Sequence, residues 1–183
     1  FDLSPVIEHV VSGAYVRLGD GAQVERTTAG PLAYMTQRSR LDHFLAERAQ
    51  EAGAQFRDGS GGLVRSVQQR GGEYEVAVNG AVHRARVLIG ADGANGVVGN
   101  KLGFEHARES AVALEANVPC PGGVPPWLEG RVALQLGRVA GGYGWVFPKG
   151  DHLNVGAGGW KTVVGGELRA SLDRLCRTHE IDP

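Results

Sequence analysis

The sequence predicts an α+β fold: a largely antiparallel sheet, a β-meander and two main helices. Three observations carry that expectation. Glycine accounts for 29 of 183 residues, about twice its usual share of roughly 7%, and the glycines cluster between apolar runs, which means many tight turns and much strand. Between Gln55 and Ile89, short alternating segments are punctuated by Gly71-Gly72 and Asn79-Gly80, two reversals in succession. Apolar residues recur at helical spacing over two long stretches, Ser39 to Ala52 and Glu167 to Thr178.

Each element follows from its own residues. Ser4 to Val11 reads as a short helix, with Ser4 as N-cap and Pro5 in the first turn. Ala14 to Leu18 turns at Gly19-Asp20-Gly21 and returns through Ala22 to Thr27 as a hairpin, and Leu32 to Thr36 is a further short strand. The helix over Ser39–Ala52 presents Leu41, Phe44, Leu45, Ala49 and Ala52 on one side, and Gly53 ends it. A strand over Gln55–Arg57 and a Gly-rich bend lead into a three-stranded meander of Leu63–Gln68, Tyr74–Val78 and Val82–Ile89. Its last piece, Val87-Leu88-Ile89, reads as a buried strand end. A short helix over Val97–Leu102 is closed by Gly103. Ser110–Val118, Arg131–Leu136, Tyr143–Phe147 and His152–Gly158 alternate as antiparallel strands of one sheet. The last helix places Leu168, Ser171, Leu172, Leu175 and Cys176 on one face, as core packing requires.

Composition excludes several function classes. Lys and Arg are scattered, the formal charge is −1 and the pI about 6.7, so there is no basic stripe for nucleic acid. Cys120 and Cys176 lie far apart, in no metal-binding spacing, and such sparse usage suits a reducing cytosol. His9, His43, His83, His106, His152 and His179 form no HxxxH or HExxH pair, so no metal site is expected and most read as surface or turn residues. No apolar run approaches the roughly 18 residues of a membrane span. The expected location is the cytoplasm, with peripheral membrane contact as a candidate. The chain opens on Phe1 and closes on Asp182-Pro183, as an excised piece of a longer protein would.

The most informative segment is Ile89-Gly90-Ala91-Asp92-Gly93-Ala94-Asn95-Gly96-Val97-Val98. A carboxylate sits between glycines in a turn that enters a short helix, so a ligand can approach main-chain N–H groups unobstructed by side chains. An ordinary Asp-Gly turn is the competing reading. Two other glycine runs fail their tests. Gly156-Ala157-Gly158-Gly159-Trp160-Lys161-Thr162 has Trp160 where a phosphate loop needs glycine. Gly59-Ser60-Gly61-Gly62-Leu63-Val64 ends on Val64 and precedes a strand rather than a helix, so it is no dinucleotide fingerprint. No GxSxG elbow is present.

Three segments, in order, resemble the flavoprotein group typified by para-hydroxybenzoate hydroxylase, and within it the geranylgeranyl reductase family. They are Arg38-Ser39-Arg40-Leu41-Asp42 at a helix entry, the Ile89–Val98 turn, and Gly141 to Gly156, which is similar to that family's YxWxFPK segment with its following VGxG strand. The resemblance implies a partial FAD-binding fold joined to a substrate-domain sheet. It divides the chain into substrate-domain strands over 1–36, a partial FAD-binding region over 37–103, and a substrate-binding sheet with terminal helix over 104–183.

The resemblance also implies roles. Arg38, Val64, Ala91, Asp92 and Gly93 become cofactor-binding residues for FAD, with NAD(P)H the candidate electron donor. Asp92 is expected to hold the glycine turn so that N–H groups face the cofactor. Tyr143, Trp145, Phe147 and Pro148 become substrate-binding residues for an apolar small molecule such as a polyprenyl chain, although an aromatic row is also an ordinary core feature. No catalytic acid is assigned. Gly96 and Gly99 stand where the longer DGAxSxVR pattern has serine and arginine. The family's GxGxxG and Gly-Asp-Ala motifs are absent, so the piece alone is expected to be inactive. The implied activity is reduction of isoprenoid C=C bonds by reduced flavin. The alternatives are a flavin-dependent aromatic hydroxylase or halogenase, and a noncatalytic lipid-binding module.

Overall fold

The computed structural model describes residues 2–104 and 110–182; His106, read above as a surface or turn residue, lies outside them. Strands β1 (His9–Val11), β2 (Gly13–Leu18), β3 (Gln23–Thr27) and β4 (Ala33–Met35) come first. Helix α1 (Arg38–Glu51), strands β5 (Val64–Arg70), β6 (Glu73–Val78) and β7 (Ala81–Ala85), and helix α2 (Val97–Leu102) follow. The remainder holds β8 (Ala111–Pro119), β9 (Arg131–Leu136), β10 (Gly142–Pro148), β11 (His152–Trp160), α3 (Lys161–Val164) and α4 (Leu168–Thr178). The described residues fall into two compact units, one within Phe1–Leu45 and Glu109–Pro183 and one within Ala46–Arg108.

The first unit is built on a six-stranded sheet of order β3-β2-β9-β10-β11-β8. Its neighbours pair antiparallel except β2 and β9, which run parallel. Alternation gives the sheet two unlike faces. Val146 on β10, Leu153 and Val155 on β11, Val118 on β8 and Ala133 on β9 are buried together with Leu172, Leu175 and Cys176 of α4. The expected apolar stripe of the terminal helix is therefore the lid of the core. Leu128, in the loop before β9, completes that core with no exposure at all. The other face carries Tyr143, Trp145 and Phe147. A separate two-stranded sheet joins β1 to β4.

The second unit is the antiparallel meander β5-β6-β7 with α2 packed against β5. Asn79 and Gly80 make its second turn with φ of 48° and 83°, the left-handed pair a two-residue hairpin demands. Val67 of β5 and Val98 of α2 are its buried side chains.

Four expectations are corrected. The Ser4–Val11 segment is a single 3-10 turn over Ser4–Val6 followed by β1. Leu3, not Ser4, holds the N-cap position, Asp2 accepts the Ser4 N–H at 2.9 Å, and β-branched Val10 and Val11 pair with Tyr34 and Ala33 of β4 instead of coiling. Gln55–Arg57 is not a strand. The run Val87-Leu88-Ile89 is neither strand nor buried: β7 ends at Ala85, and Val87 and Ile89 are 72% and 83% exposed. An apolar run is buried only if a partner covers it, and none does so among the described residues. Helix α1 forms as expected, but none of its residues is buried, so its stripe of Leu41, Phe44, Leu45 and Ala49 does not serve a core among the described residues.

Candidate functional site

The Asp92 turn is held from inside. Asp92 Oδ2 accepts the N–H of Val98 at 3.0 Å, satisfying one of the orphan donors at the start of α2. That bond holds the Asp92 carboxyl below its ordinary range. Gly93 takes φ of 77°, and its carbonyl accepts the Gly96 N–H at 3.0 Å. Gly96 itself is buried directly against Asp92, where a Cβ would overlap the carboxylate. A Cβ on Gly90 would stand 2.7 Å from Val98. The glycines of the motif are thus required by packing as well as by conformation.

This turn lines a cleft of about 460 Å³ within the second unit. Val64, Ala91 and Asp92 share its lining with Leu63, Val97 and Val98, and Arg57 and Asp58 also border it. Three of the five expected cofactor residues are therefore brought together around one opening. Gly93 stands beside the lining, in the turn that shapes it. Arg38 heads α1 in the first unit, 82% exposed, and its guanidinium makes two hydrogen bonds to Asp42, at 3.1 and 3.2 Å. Arg40, two residues on, is spent on structure: it pairs with Glu8 and donates to the Pro5 carbonyl at 3.0 Å.

The aromatic row lies on the face of the six-stranded sheet that α4 does not cover. Tyr143 and Trp145 have ring centroids 5.7 Å apart, and Trp145 and Phe147 6.1 Å. Tyr143 is 46% exposed, whereas Trp145 is nearly buried. Trp145 lies flat because its cross-strand partner is Gly156, which offers no side chain to lift it. Tyr143, Trp145 and Trp160 wall an open cavity of about 420 Å³ floored by Gly142, Gly158 and Ala113. Pro148 is the exception among the expected substrate residues. It is fully buried and, by strand alternation, shares the opposite face with Gly144 and Val146.

Several residues essential to this geometry carried no assigned role in the sequence. Trp145 Nε1 donates to Asn154 Oδ1 at 2.8 Å, and Asn154 Nδ2 donates to Asn117 Oδ1 at 2.9 Å. The signal was present: Asn154 interrupts an otherwise apolar and small-residue strand, where an unpaired amide would be costly. At the β10–β11 turn, Lys149 Nζ donates to the Thr36 carbonyl at 2.8 Å. Burial lowers the Lys149 ammonium below the usual lysine range, an effect partly offset by Glu115 and Glu8. Lys149, His152, Glu115, Asn117 and Asn154 line a second, polar cavity of about 350 Å³ in the same unit.

A family model described as an FAD binding domain matches residues 5–135. The chloroplastic geranylgeranyl diphosphate reductase of Oryza sativa subsp. japonica is 33% identical over 147 residues, covering 72% of this chain and 32% of that protein. A menaquinone reductase of Mycolicibacterium smegmatis is 32% identical over 156 residues, 79% of this chain and 38% of its own length. In fold, the chain is similar to a geranylgeranyl bacteriochlorophyll reductase-like protein from Thermoplasma acidophilum, with a TM-score of 0.77 at 24% identity over 98% of this chain and 48% of that one. The chain spans about a third of the length of the curated relatives it matches.

Proposed function

The chain belongs to the FAD binding domain family, matched over residues 5–135, and we propose that the whole protein is an FAD-dependent reductase of C=C bonds in a prenyl or related apolar substrate. The observation that carries this reading is the position of the aromatic row. Tyr143, Trp145 and Phe147 stand on the open face of a sheet whose opposite face already holds the core, and a cavity floored by glycine and alanine lies beside them. A wall of rings over a floor of glycine and alanine suits a flat, flexible hydrocarbon.

The residues of the second unit fit one end of FAD. The cleft offers apolar walls at Val64, Val97 and Val98 and the polar groups of Arg57 and Asp92 at its lining, with Gly93 beside it in open space. Arg38 presents an exposed guanidinium suited to phosphate oxygens. We assign Arg38, Val64, Ala91, Asp92 and Gly93 to the cofactor. Asp92 acts through the turn it holds rather than by touching phosphate, since its carboxylate already accepts from Val98. Bound flavin, once reduced, supplies the hydride, with NAD(P)H as the proposed electron source.

On the substrate side, Tyr143, Trp145 and Phe147 orient the chain and exclude water, and Pro148 braces their strand from the core face. No helix among the described residues is long and apolar enough to cross a membrane. The test is anaerobic turnover by the full-length protein with reduced flavin and a geranylgeranyl substrate, read by product mass. A gain of two hydrogens per reduced double bond is expected. Phenol-stimulated oxygen uptake, or halide-dependent product, would move the assignment to a hydroxylase or halogenase. A colourless full-length protein that takes up prenyl lipid would make it a binding module.

A further inference from the structure

The side of the six-stranded sheet that α4 covers holds a recess of its own. Tyr15 and Arg17 alternate along β2 and so share one face, beside Ala133 and Gln135 of β9. Tyr15 and the loop residue Trp127 pack against the core that α4 closes, so this face is turned away from the aromatic row of β10. Thr178, His179 and Glu180, where α4 ends, complete a recess of about 260 Å³ around Tyr15, Arg17 and Trp127.

The walls of the recess are rings already held in place. Trp127 stacks on His179 with centroids 4.8 Å apart, Tyr15 meets Trp127 edge-on at 6.2 Å, and the Tyr15 hydroxyl is tied to Gln23. Arg17 is the exception. Arg131 and Arg138 of the same unit pair with Glu25 and Asp20. No carboxylate among the described residues pairs with the half-buried Arg17 guanidinium, and its Nε is buried without an acceptor. Its charge reaches the neighbouring His179, whose imidazole pKa is lowered by burial first and by Arg17 second. A guanidinium carries five N–H donors in a planar fork, and buried donors are ordinarily satisfied. Here an unpaired fork stands among aromatic walls.

We propose that this recess binds a small planar carboxylate, an aromatic or heteroaromatic acid whose two oxygens meet Arg17 and whose ring lies against the aromatic walls. The fork matches a carboxylate edge to edge, and rings set before the ligand arrives reduce the cost of ordering. Phosphate is the poorer match: one unpaired cation does not balance a dianion, and aromatic walls do not replace its hydration. Glu180 is exposed and forms no ion pair with Arg17, so it opposes the ligand only through solvent. None of the six residues of the recess lines the Asp92 cleft or the cavity beside the aromatic row. The site is separate from both and does not depend on the reductase reading.

The experiment uses the full-length, FAD-loaded protein and four probes: naphthoate, its neutral counterpart naphthalenemethanol, acetate and inorganic phosphate. Dissociation constants are read by isothermal titration calorimetry. Naphthoate is expected to bind saturably and at least about tenfold more tightly than each of the others. Arg17→Met should weaken naphthoate by about tenfold or more without lowering the unfolding midpoint, since it removes a buried donor that has no acceptor. Arg17→Lys should restore part of the binding, and Glu180→Gln should tighten it by about twofold. The proposal is overturned if naphthoate does not bind saturably, if the alcohol or phosphate binds as tightly, or if Arg17→Met binds naphthoate as the parent does. None of these results touches the reductase reading, which stands or falls on turnover.

Discussion

The indole of Trp145 lies across Gly156, its direct partner on β11, in space that a single added carbon would overlap. The glycine on one strand is thus the counterpart of the aromatic ring on the next. Sheet neighbours commonly stabilise one another by contact between side chains; here the fit depends on one of the two having none. The neighbouring hydrogen bond to Asn154 needs the ring in that flat position.

Gly156→Ala is therefore expected to displace the ring. Overpacking of this kind costs about 1–3 kcal/mol, measurable by denaturant unfolding, and the emission of Trp145 should move to longer wavelength as the indole leaves its buried seat. A variant with unchanged stability and emission would mean that the ring has another place to go.

Asp92 and Gly96 form a second interlocked pair. The carboxylate occupies the space of a Gly96 side chain while capping α2 through Val98. Gly96→Ser, which restores the hydroxyl of the longer motif, should lower the melting temperature, and Asp92→Ala should do the same by removing the cap. In the double variant the clash is gone, so the two losses should not add. Strict additivity in thermal melts would show that the two positions do not share space. The depressed Asp92 pKa gives the sign of the pH effect. Its contribution is present above about pH 3.8, the ordinary value, and is lost as the pH falls through the lower folded-state value.

How much of this was legible before folding depended on whether the signal was local. The terminal helix showed its core face, Leu172, Leu175 and Cys176, because helical periodicity records burial directly. Asn79-Gly80 marked its hairpin because the left-handed turn needs those residue types. The parallel pairing of β2 with β9 leaves no local trace, since neither strand's own residues name a partner so far along the chain. Val87-Leu88-Ile89 misled for a related reason: apolar composition is the same whether or not a surface covers it. In the site, the aromatic row could be read from alternation alone. Its support by Asn154 and Asn117 required the register of three strands.

His179 stacks on Trp127 with ring centroids 4.8 Å apart and planes 14° from parallel. Burial, reinforced by the nearby Arg17 charge, lowers the imidazole pKa below 6.5; Glu180 borders the same recess. The folded state therefore favours the neutral ring. Its stabilising contribution is complete above about pH 6.5 and is lost as the pH falls from there through the folded-state value. Unfolding midpoints should drop across that interval, and His179→Phe, which keeps a stacking ring without a titrating group, should flatten that part of the profile. A profile identical to the parent would remove His179 as the cause.

Arg38 allows cofactor binding to be separated from folding. Its side chain is 82% exposed and its partner Asp42 lies one turn along the same helix, an arrangement that contributes little to stability in water. Arg38→Ala should therefore leave the thermal unfolding of the full-length apoprotein close to the parent's. If the guanidinium meets flavin phosphate, the same variant should retain FAD several-fold less well through gel filtration, and the deficit should shrink at high salt, where the parent also loses the electrostatic part of its binding. Arg38→Lys keeps the charge but not the paired N–H geometry, so it should recover only part of the loss. Equal retention by parent and Arg38→Ala at low salt would remove Arg38 from the cofactor set and leave the Asp92 cleft to be tested on its own.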